Sequence, residues 1–198
     1  MYPYSLDIAE RKTTSLFIAV AAILAAWLLN HALVAISWTV PWWFDAPSVM
    51  GFYGIFYTVF DRYIWSWRPF SFLRFSNIPV LAGEWSGTII SSFNDGTTIA
   101  AKLTIKQTWT DMQVALTTES SASHSLAVAL AVKGAGGPTL TYQYQNDPRA
   151  GAVATMQIHY GTANLILEGN RLTGEYYSGR GRQNIGELSF DRTTSQLR

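Results

Sequence analysis

The sequence contains no cysteine, which excludes disulfide bonds, thiol nucleophiles and cysteine-based metal sites. This absence fits a reducing compartment. Charge is also scarce, because only 14% of the residues are charged and no lysine or arginine occurs from Thr13 to Asp61. From Gly83 to the C-terminus, nine basic residues balance nine acidic ones. Such a balance argues against a general polyanion-binding surface, so we predict no DNA or RNA polymer as partner.

Patterns typical of catalysis and metal binding are missing as well. The sequence has no G-x-S-x-G motif, no P-loop and no spaced pair of carboxylates. Of its three histidines, His31 lies in an apolar run, His124 has no second ligand at metal spacing, and His159 falls on the outer face of a predicted strand. We therefore predict that the protein is not an enzyme and has no catalytic residue, metal ligand or resident cofactor.

The longest apolar run, SLFIAVAAILAAWLLNHALVAISW, covers residues 15–38 without a formal charge. About 20 helical residues cross a hydrocarbon core of roughly 30 Å, so this run predicts a transmembrane helix over about residues 14–38. A cleaved signal peptide is the alternative, because Arg11 and Lys12 precede the run, but signal peptides have shorter apolar cores of about 7–15 residues. A second stretch, APSVMGFYGIFYTVF, predicts another span over about residues 46–67, provided that the helix continues past Asp61.

Basic residues predict how these helices are oriented, since lysine and arginine concentrate on the cytoplasmic side of membrane spans. The loop between the two predicted helices has none, and both outer flanks carry them, at Arg11, Lys12, Arg62, Arg68 and Arg74. Both termini are therefore predicted to be cytoplasmic. Aromatic residues among the later arginines, Trp65, Trp67 and Phe70, are typical of the lipid–water interface.

Small residues recur at helical spacing in both apolar stretches and let helix backbones approach closely. They either pack the two helices on each other or serve association between copies, and the pattern leaves both open. The pairs are Ala21/Ala25, Ala22/Ala26 and Gly51/Gly54.

After residue 76 the hydrophobic period changes to two, as in TTIAAKLTIKQT, and eight or nine short strands follow without a helical pattern. The outer phase is polar, which excludes an outer-membrane barrel. We predict two N-terminal transmembrane α-helices, within residues 1–75, and an all-β, antiparallel, roughly eight-stranded, lipocalin-like small barrel over residues 76–198. The same alternation points Leu126, Val128, Leu130 and Val132 into the barrel.

Strand phase also predicts a candidate site inside the barrel. An eight-stranded barrel is either filled or holds one small ligand. Four phenols share the inward phase of their strands, which a filled barrel does not need, and Trp85 is predicted to plug the closed end. These phenols are Tyr142, Tyr144, Tyr160 and Tyr176.

Counting onward by twos from Tyr176 gives Ser178, Arg180 and Arg182 the same inward phase. Guanidinium groups bind phosphates bidentately, and aromatic rings stack on nucleobases. The site predicted from this phase suits a planar, multiply anionic ligand. The alternative is that SGRGR forms an exposed hairpin loop with solvated arginines. The candidate ligand-binding residues are Tyr142, Tyr144, Tyr176, Arg180 and Arg182.

Two apolar helices, a basic aromatic joint, and a barrel that opens with GEWSGTI and closes with LTGEYYSGRGRQNIGELSF resemble a known family. This is the CD-NTase-associated protein 15 family, the two-transmembrane β-barrel effectors of bacterial cyclic-oligonucleotide anti-phage defence (CBASS). The resemblance implies that the barrel binds a cyclic dinucleotide made by a partner nucleotidyltransferase. It further implies that binding drives homo-oligomerisation and that the helices disrupt the bacterial inner membrane. Ligand contact is implied for Tyr176, Arg180 and Arg182, while Tyr142 and Tyr144 rest on strand phase.

Two other functions stay open at this point. One is a membrane-tethered, lipocalin-like carrier of an apolar ligand, and the other is a scaffold whose barrel is filled. Inward-pointing arginines distinguish a nucleotide receptor from a lipid carrier. The receptor needs Arg180 and Arg182 to bind phosphate, whereas a lipid carrier has no use for them.

Overall fold

The computed structural model describes residues 1–38, 41, 45–67, 76–93, 96–134, 136–152, 156–179 and 183–193. The chain divides into two compact units. The first comprises residues 1–8 and 78–198, and the second comprises residues 9–77. The sequence pattern groups residues 1–8 with the membrane anchor, whereas in the structure they belong to the unit that contains the barrel.

The second unit contains two α-helices, α1 (Glu10–Ala35) and α2 (Asp45–Arg62), followed by a 3-10 helix at Ile64–Ser66. Helix α1 ends at Ala35, although the apolar run of the sequence continues to Trp38, because the backbone turns after Ala35. Ser37 adopts the left-handed region with φ 61°, and the Trp38 amide donates to the Leu33 carbonyl at 3.0 Å. This arrangement caps the last carbonyls of the helix and ends it before Trp38.

Helix α1 carries one buried face, formed by Thr14, Ile18, Ala22 and Ala26 at four-residue spacing. The two helices pack on each other, so the Ala22/Ala26 pair serves packing within the hairpin. Among the described residues, α1 is the one helix long and apolar enough to cross a membrane. Its 26 residues span about 39 Å.

Helix α2 has 18 residues and ends at Arg62, five positions before the predicted end of the second span. At 1.5 Å per residue it measures about 27 Å, slightly less than a hydrocarbon core of roughly 30 Å. Its apolar stretch therefore gives a less clear span than α1. Trp65 is buried and Trp67 exposed, while Phe70, Arg68 and Arg74 lie outside the described residues.

The first unit is an antiparallel up-and-down barrel, which confirms the predicted eight-stranded fold. Each of the eight barrel strands pairs with the next in sequence, and the last closes the barrel on the first, from Gly186↔Ser91 to Arg192↔Trp85. Two short strands, β1 (Tyr2–Pro3) and β2 (Ser5–Leu6), add to the same sheet. The barrel strands are β3 (Gly83–Ser91), β4 (Thr97–Gln107), β5 (Asp111–Thr118), β6 (Ser121–Ala131), β7 (Thr139–Pro148), β8 (His159–Glu168), β9 (Arg171–Ser178) and β10 (Ile185–Arg192).

One half of the barrel interior is filled by hydrocarbon. The predicted plug, Trp85, is fully buried; its indole N–H donates to the Leu81 carbonyl at 3.0 Å, and the Arg192 guanidinium lies 4.5 Å above its ring. Burying each large apolar side chain contributes about 1.5–3 kcal/mol, so this half stabilises the barrel. The other fully buried side chains here include Leu103, Ile105, Met112, Leu130, Leu140, Leu165, Leu172 and Phe190.

Candidate functional site

The opposite half of the barrel is hollow, with a cavity of about 280 Å³. Four connections between strands meet at this end, and each contributes to the lining: Phe93 from β3–β4, Ser120 from β5–β6, Met156 from β7–β8 and Asn184 from β9–β10. The barrel is therefore a cup, plugged at one end and hollow at the other. An eight-stranded barrel of this kind has room for one small ligand.

The structure places all three predicted tyrosines of the site, Tyr142, Tyr144 and Tyr176, in the cavity wall. Tyr142 and Tyr176 lie in one layer, separated by Ala163, which is the cross-strand partner of both. The small side chain of Ala163 leaves open space between the two phenols. Large and small residues alternate along this layer, which makes a hollow rather than a packed core.

Tyr176 reaches across its neighbouring strand. Its partner on β10 is Gly186, and a Cβ at Gly186 would contact the Tyr176 ring. Because glycine leaves that space free, the Tyr176 hydroxyl donates a hydrogen bond to Ser91 Oγ on β3, at 2.8 Å. The phenol is thus held against the wall by a strand two positions away.

Tyr144 is positioned by a second glycine. Its partner on β8 is Gly161, and a Cβ there would overlap the phenol of Tyr144 and approach the Tyr177 carbonyl. The ring therefore lies flat over the strand at this position, near Tyr142, whose ring centroid is 6.1 Å away. Two glycines on the inward phase, 161 and 186, thus fix the orientation of two tyrosines.

Burial keeps two of these phenols neutral. It raises the pKa of Tyr142 well above its ordinary value, with a smaller contribution from Tyr144. Burial also raises the pKa of Tyr144, with a smaller contribution from Tyr176. Tyr142 and Tyr144 are therefore protonated throughout the physiological range, and their hydroxyls can donate hydrogen bonds to a ligand oxygen.

Buried hydroxyl groups line the cavity on the strand next to Tyr142 and Tyr144, and strand phase did not predict them. Ser121 and Ser123 on β6 are buried and line the cavity, whereas Leu126, predicted to point inward, is 46% exposed. The reason is a β-bulge between Ser125 and Ala127, which reverses the phase of the strand. The signal for it in the sequence is the run SASHS, whose polar alternation ends where the apolar alternation begins.

Two further predictions of phase, both on β8, are wrong. Tyr160, predicted to point inward, is 52% exposed, and His159, predicted on the outer face, lines the cavity. The prediction carried the phase of Met156 into β8, but the strand begins only at His159. Met156 reaches the cavity from the connection before the strand, so its position does not set the phase of β8.

The two arginines of the predicted site, Arg180 and Arg182, lie outside the described residues. The ends of their loop are described, however. Ser178 and Asn184 both line the cavity, and the Ser178 amide donates to the Asn184 carbonyl at 2.8 Å. The loop between residues 178 and 184 therefore starts and ends at the hollow end of the barrel.

The described lining is almost free of charge. Among the described lining residues there is no lysine, arginine, aspartate or glutamate, and His159 is the one histidine. In the part of the chain that the structure describes, no group of three or more potential ligands could hold a metal ion. The cup as described offers neutral donors and acceptors and aromatic faces.

The Gly161–Tyr144 arrangement leads to a prediction about stability. Gly161→Ala is expected to displace the Tyr144 ring and to lower the free energy of unfolding by about 1–3 kcal/mol, since overpacked positions cost this much. Thermal unfolding of the full chain measures the loss. Gly151→Ala is the matched control, because nothing lies within 4 Å of its added Cβ. Equal melting temperatures for the two variants would contradict the positioning role of Gly161.

Comparisons with known proteins agree with this architecture. A family model described as Cap15, cyclic dinucleotide receptor domain, matches residues 76–192, and one described as Cap15, TM helices, matches residues 12–66. Over 164 aligned residues, the chain is 27% identical to CD-NTase-associated protein 15 of Staphylococcus schleiferi. The alignment covers 81% of this chain and 87% of that protein. Since the receptor-domain match alone spans more than half of the sequence, the chain belongs to the Cap15 family, with a cyclic dinucleotide receptor domain and a membrane-associated helical region.

Proposed function

We propose that the hollow end of the barrel binds a cyclic dinucleotide made by a partner nucleotidyltransferase, and that binding drives self-association and disruption of the inner membrane. In this proposal Tyr142, Tyr144 and Tyr176 supply aromatic surface, and Arg180 and Arg182 supply the charge. No covalent chemistry is required of the protein. Its response to the ligand is a change in assembly, in keeping with a receptor and effector rather than an enzyme.

The observation that carries the proposal is the contrast between the cup and its rim. The described lining is neutral and rich in phenols and hydroxyls, while the loop that starts and ends at the cavity contains two arginines. A cyclic dinucleotide has a matching division, with two flat bases and two anionic phosphates. Bases stack on aromatic side chains, and guanidinium groups bind phosphates in charge-assisted pairs.

Chain length supports the placement of the charge at the rim. Arg180 is two residues from Ser178, and Arg182 is two residues from Asn184. Two residues of extended chain reach no further than about 7 Å. Each arginine is therefore separated by no more than about 7 Å of chain from a residue that lines the cavity, and in this proposal its side chain binds a ligand in the cup.

For the helices, we propose that α2 crosses the membrane as well as α1, with both chain termini and the barrel in the cytoplasm. Support comes from the family match over residues 12–66 and from the basic residues outside the hairpin, which favour cytoplasmic flanks. At about 27 Å, α2 is short for a hydrocarbon core of roughly 30 Å, so it would thin the bilayer around it. Many such helices gathered in one place would weaken the membrane.

The outer face of α2 supports association between copies. Gly51 and Gly54 are exposed, and nothing lies within 4 Å of the position that a Cβ would take on either glycine. Small residues at helix surfaces let a neighbouring helix approach closely within a bilayer. The pair Ala22/Ala26, by contrast, is already buried in the hairpin.

The carrier of an apolar ligand is the weaker candidate. A cavity for a lipid chain would be lined by apolar side chains. In this cavity, several lining residues have hydroxyl or amide groups instead. Such groups favour a ligand that offers hydrogen-bond partners over one that is purely apolar. They include Ser91, Ser121, Ser123, Asn146 and Ser178.

The full chain in lipid vesicles provides the test. Cyclic dinucleotides with two purines, two pyrimidines or one of each are added, and thermal unfolding and the release of an enclosed dye are measured. We expect one or two members of the panel to raise the melting temperature by about 5 °C or more at 100 times their Kd. The same members are expected to release the dye, and the corresponding mononucleotides to do neither.

Two results would count against the proposal in different ways. No change in melting temperature with any cyclic dinucleotide would refute the binding step. Stabilisation without dye release would leave the receptor intact and refute the membrane step.

A further inference from the structure

The N-terminal residues 2–7, which we name the clip, lie in the barrel wall between β5 and β6. Tyr2 and Pro3 pair antiparallel with Met112 and Asp111 of β5. Two residues further along the clip, Ser5 and Leu6 pair in parallel with Ala129 and Leu130 of β6. One extended segment thus fills the part of the wall where β5 and β6 do not pair directly. The clip is part of the wall and not an overhanging terminus.

The clip is needed because β5 and β6 hardly pair with each other. They are direct partners at three positions only, Ala115↔His124, Leu116↔Ser123 and Thr117↔Ala122. Every other pair of neighbouring barrel strands has at least seven partner positions among the described residues. Beyond the three positions, the Val114 amide donates to Ser125 Oγ at 2.9 Å in place of a backbone carbonyl. This seam is the weakest in the barrel.

Two residues hold the clip in the seam, Tyr4 by burial and a backbone hydrogen bond and Asp7 by its carboxylate. Tyr4 is only 2% exposed, and its amide donates to the Thr110 carbonyl at 3.3 Å. The Asp7 carboxylate accepts hydrogen bonds from the amides of Val132 at 2.8 Å and Lys133 at 3.0 Å. Both amides lower the pKa of Asp7, and the hydrogen bond from Val132 has the larger effect. The carboxylate therefore stays ionised, and the contacts persist at neutral pH.

The same two strands form a wall of the ligand cavity. Leu116 and Thr118 of β5 and Ser121 and Ser123 of β6 line it, so the directly paired part of the seam borders the cavity at Leu116↔Ser123. The cavity volume of about 280 Å³ is at the lower limit of small-molecule sites, which range over about 300–1,000 Å³. A ligand of two nucleotides is larger than this cavity, so we expect its entry to push the wall outward. The seam with the fewest hydrogen bonds moves most easily.

We propose that the clip is a displaceable closure, which a ligand in the cup releases by widening the β5–β6 seam. The inference rests on the proposed function, because the ligand is the cyclic dinucleotide proposed there. Release leaves unpaired backbone groups on Asp111, Met112, Ala129 and Leu130, and unpaired strand edges bind extended segments. The partner that carries a matching segment is a second copy of this chain, whose own clip fits the vacated seam as an exchanged strand.

The chain itself links the clip to the membrane segment. Three residues after Asp7, Glu10 begins α1, and its carboxylate accepts hydrogen bonds from the Asn77 amide at 2.8 and 3.1 Å. Glu10 is therefore fixed within the helical unit, while residues 2–7 are held by the barrel. A clip that leaves its barrel stays attached to α1, so exchange between copies ties each helix to a neighbouring barrel.

The absence of cysteine makes the clip easy to lock. Pro3→Cys with Asp111→Cys introduces the only two thiols at antiparallel partner positions, whose Cα spacing of about 4.5–5.5 Å suits a disulfide. In the full chain, we expect oxidation to lower the affinity for the stabilising cyclic dinucleotide about tenfold or more, because release and binding are reciprocally coupled. Ligand-driven association, followed by light scattering, is expected to disappear and to return on reduction.

Two variants complete the experiment. Thr88→Cys with Ser189→Cys joins partner positions of β3 and β10 and serves as the matched control, in which oxidation is expected to change neither affinity nor association. Asp7→Asn weakens the clip, and association is expected at about tenfold lower ligand concentration, since hydrogen bonds to a charged group are lost.

The failures can be told apart. If the oxidised clip variant binds and associates as well as its reduced form, the clip inference is wrong and the receptor stands. Should the reduced variant and the unmodified protein both fail to bind any cyclic dinucleotide, the proposed function is wrong, and the clip inference fails with it.

Discussion

Replacing Arg180 and Arg182 together by alanine is expected to weaken cyclic dinucleotide binding by about 100-fold to 10,000-fold. Hydrogen bonds to charged groups contribute about 1.5–3 kcal/mol each, and every 1.4 kcal/mol corresponds to a tenfold change in Kd. The effect is large because the described residues that line the cavity include no lysine or arginine that could replace them. Titration calorimetry on the full chain in nanodiscs measures the loss, and the melting temperature without ligand is expected to stay unchanged.

The matched control removes two positive charges elsewhere on the barrel. Lys102 and Arg171 form exposed ion pairs with Glu84 and Asp191, at 2.7 and 3.0 Å. Exposed pairs contribute little, about 0–1 kcal/mol. Lys102→Ala with Arg171→Ala should therefore leave binding nearly unchanged. Equal losses of affinity in the two double variants would show that net charge matters and that the loop arginines do not contact the phosphates.

Filling the cavity with a larger side chain at Ala163 is expected to weaken binding by a similar factor. Ala163 is 1% exposed and separates Tyr142 from Tyr176 in one layer of the wall. Ala163→Phe places a ring in the space proposed for a base, and we expect the affinity to fall at least about 100-fold, or roughly 2.7 kcal/mol. Competition binding with a fluorescent cyclic dinucleotide measures the loss, while thermal unfolding reports whether the barrel stays folded.

The neighbouring position separates blocked space from general damage. Asn164 lies on the outer phase of the same strand and is exposed, where it accepts a hydrogen bond from Thr141 at 2.8 Å. Asn164→Phe adds the same ring to the outside of the barrel and is expected to retain binding. Unimpaired binding by Ala163→Phe would mean that the ligand does not enter the cavity.

The sequence predicts the barrel because its strands alternate so regularly. Leu103 and Ile105 on β4, and Tyr142 and Tyr144 on β7, follow the period of two without interruption and lie where that period predicts. Phase fails wherever the backbone departs from the regular pleat. The bulge beside Leu126 reverses β6, and the irregular connection before His159 separates Met156 from the phase of β8.

Other features depend on contacts between distant segments, which no local pattern records. Tyr2–Pro3 and Ser5–Leu6 are too short to predict as strands, and they pair with β5 and β6 only because those strands separate. The inward glycines 161 and 186 are meaningful only beside the tyrosines that lie across them. The membrane segment shows a similar limit, since α1 is long enough to be identified from hydropathy alone and α2 is not.

Determining the structure of the full chain with its stabilising cyclic dinucleotide tests the central claim most directly. The account predicts one ligand in the hollow end of the barrel, with its bases against Tyr142, Tyr144 and Tyr176 and its phosphates within hydrogen-bonding distance of Arg180 and Arg182. A ligand bound on the outer surface of the barrel, or an empty cup with both guanidinium groups in solvent at saturating ligand, would contradict it.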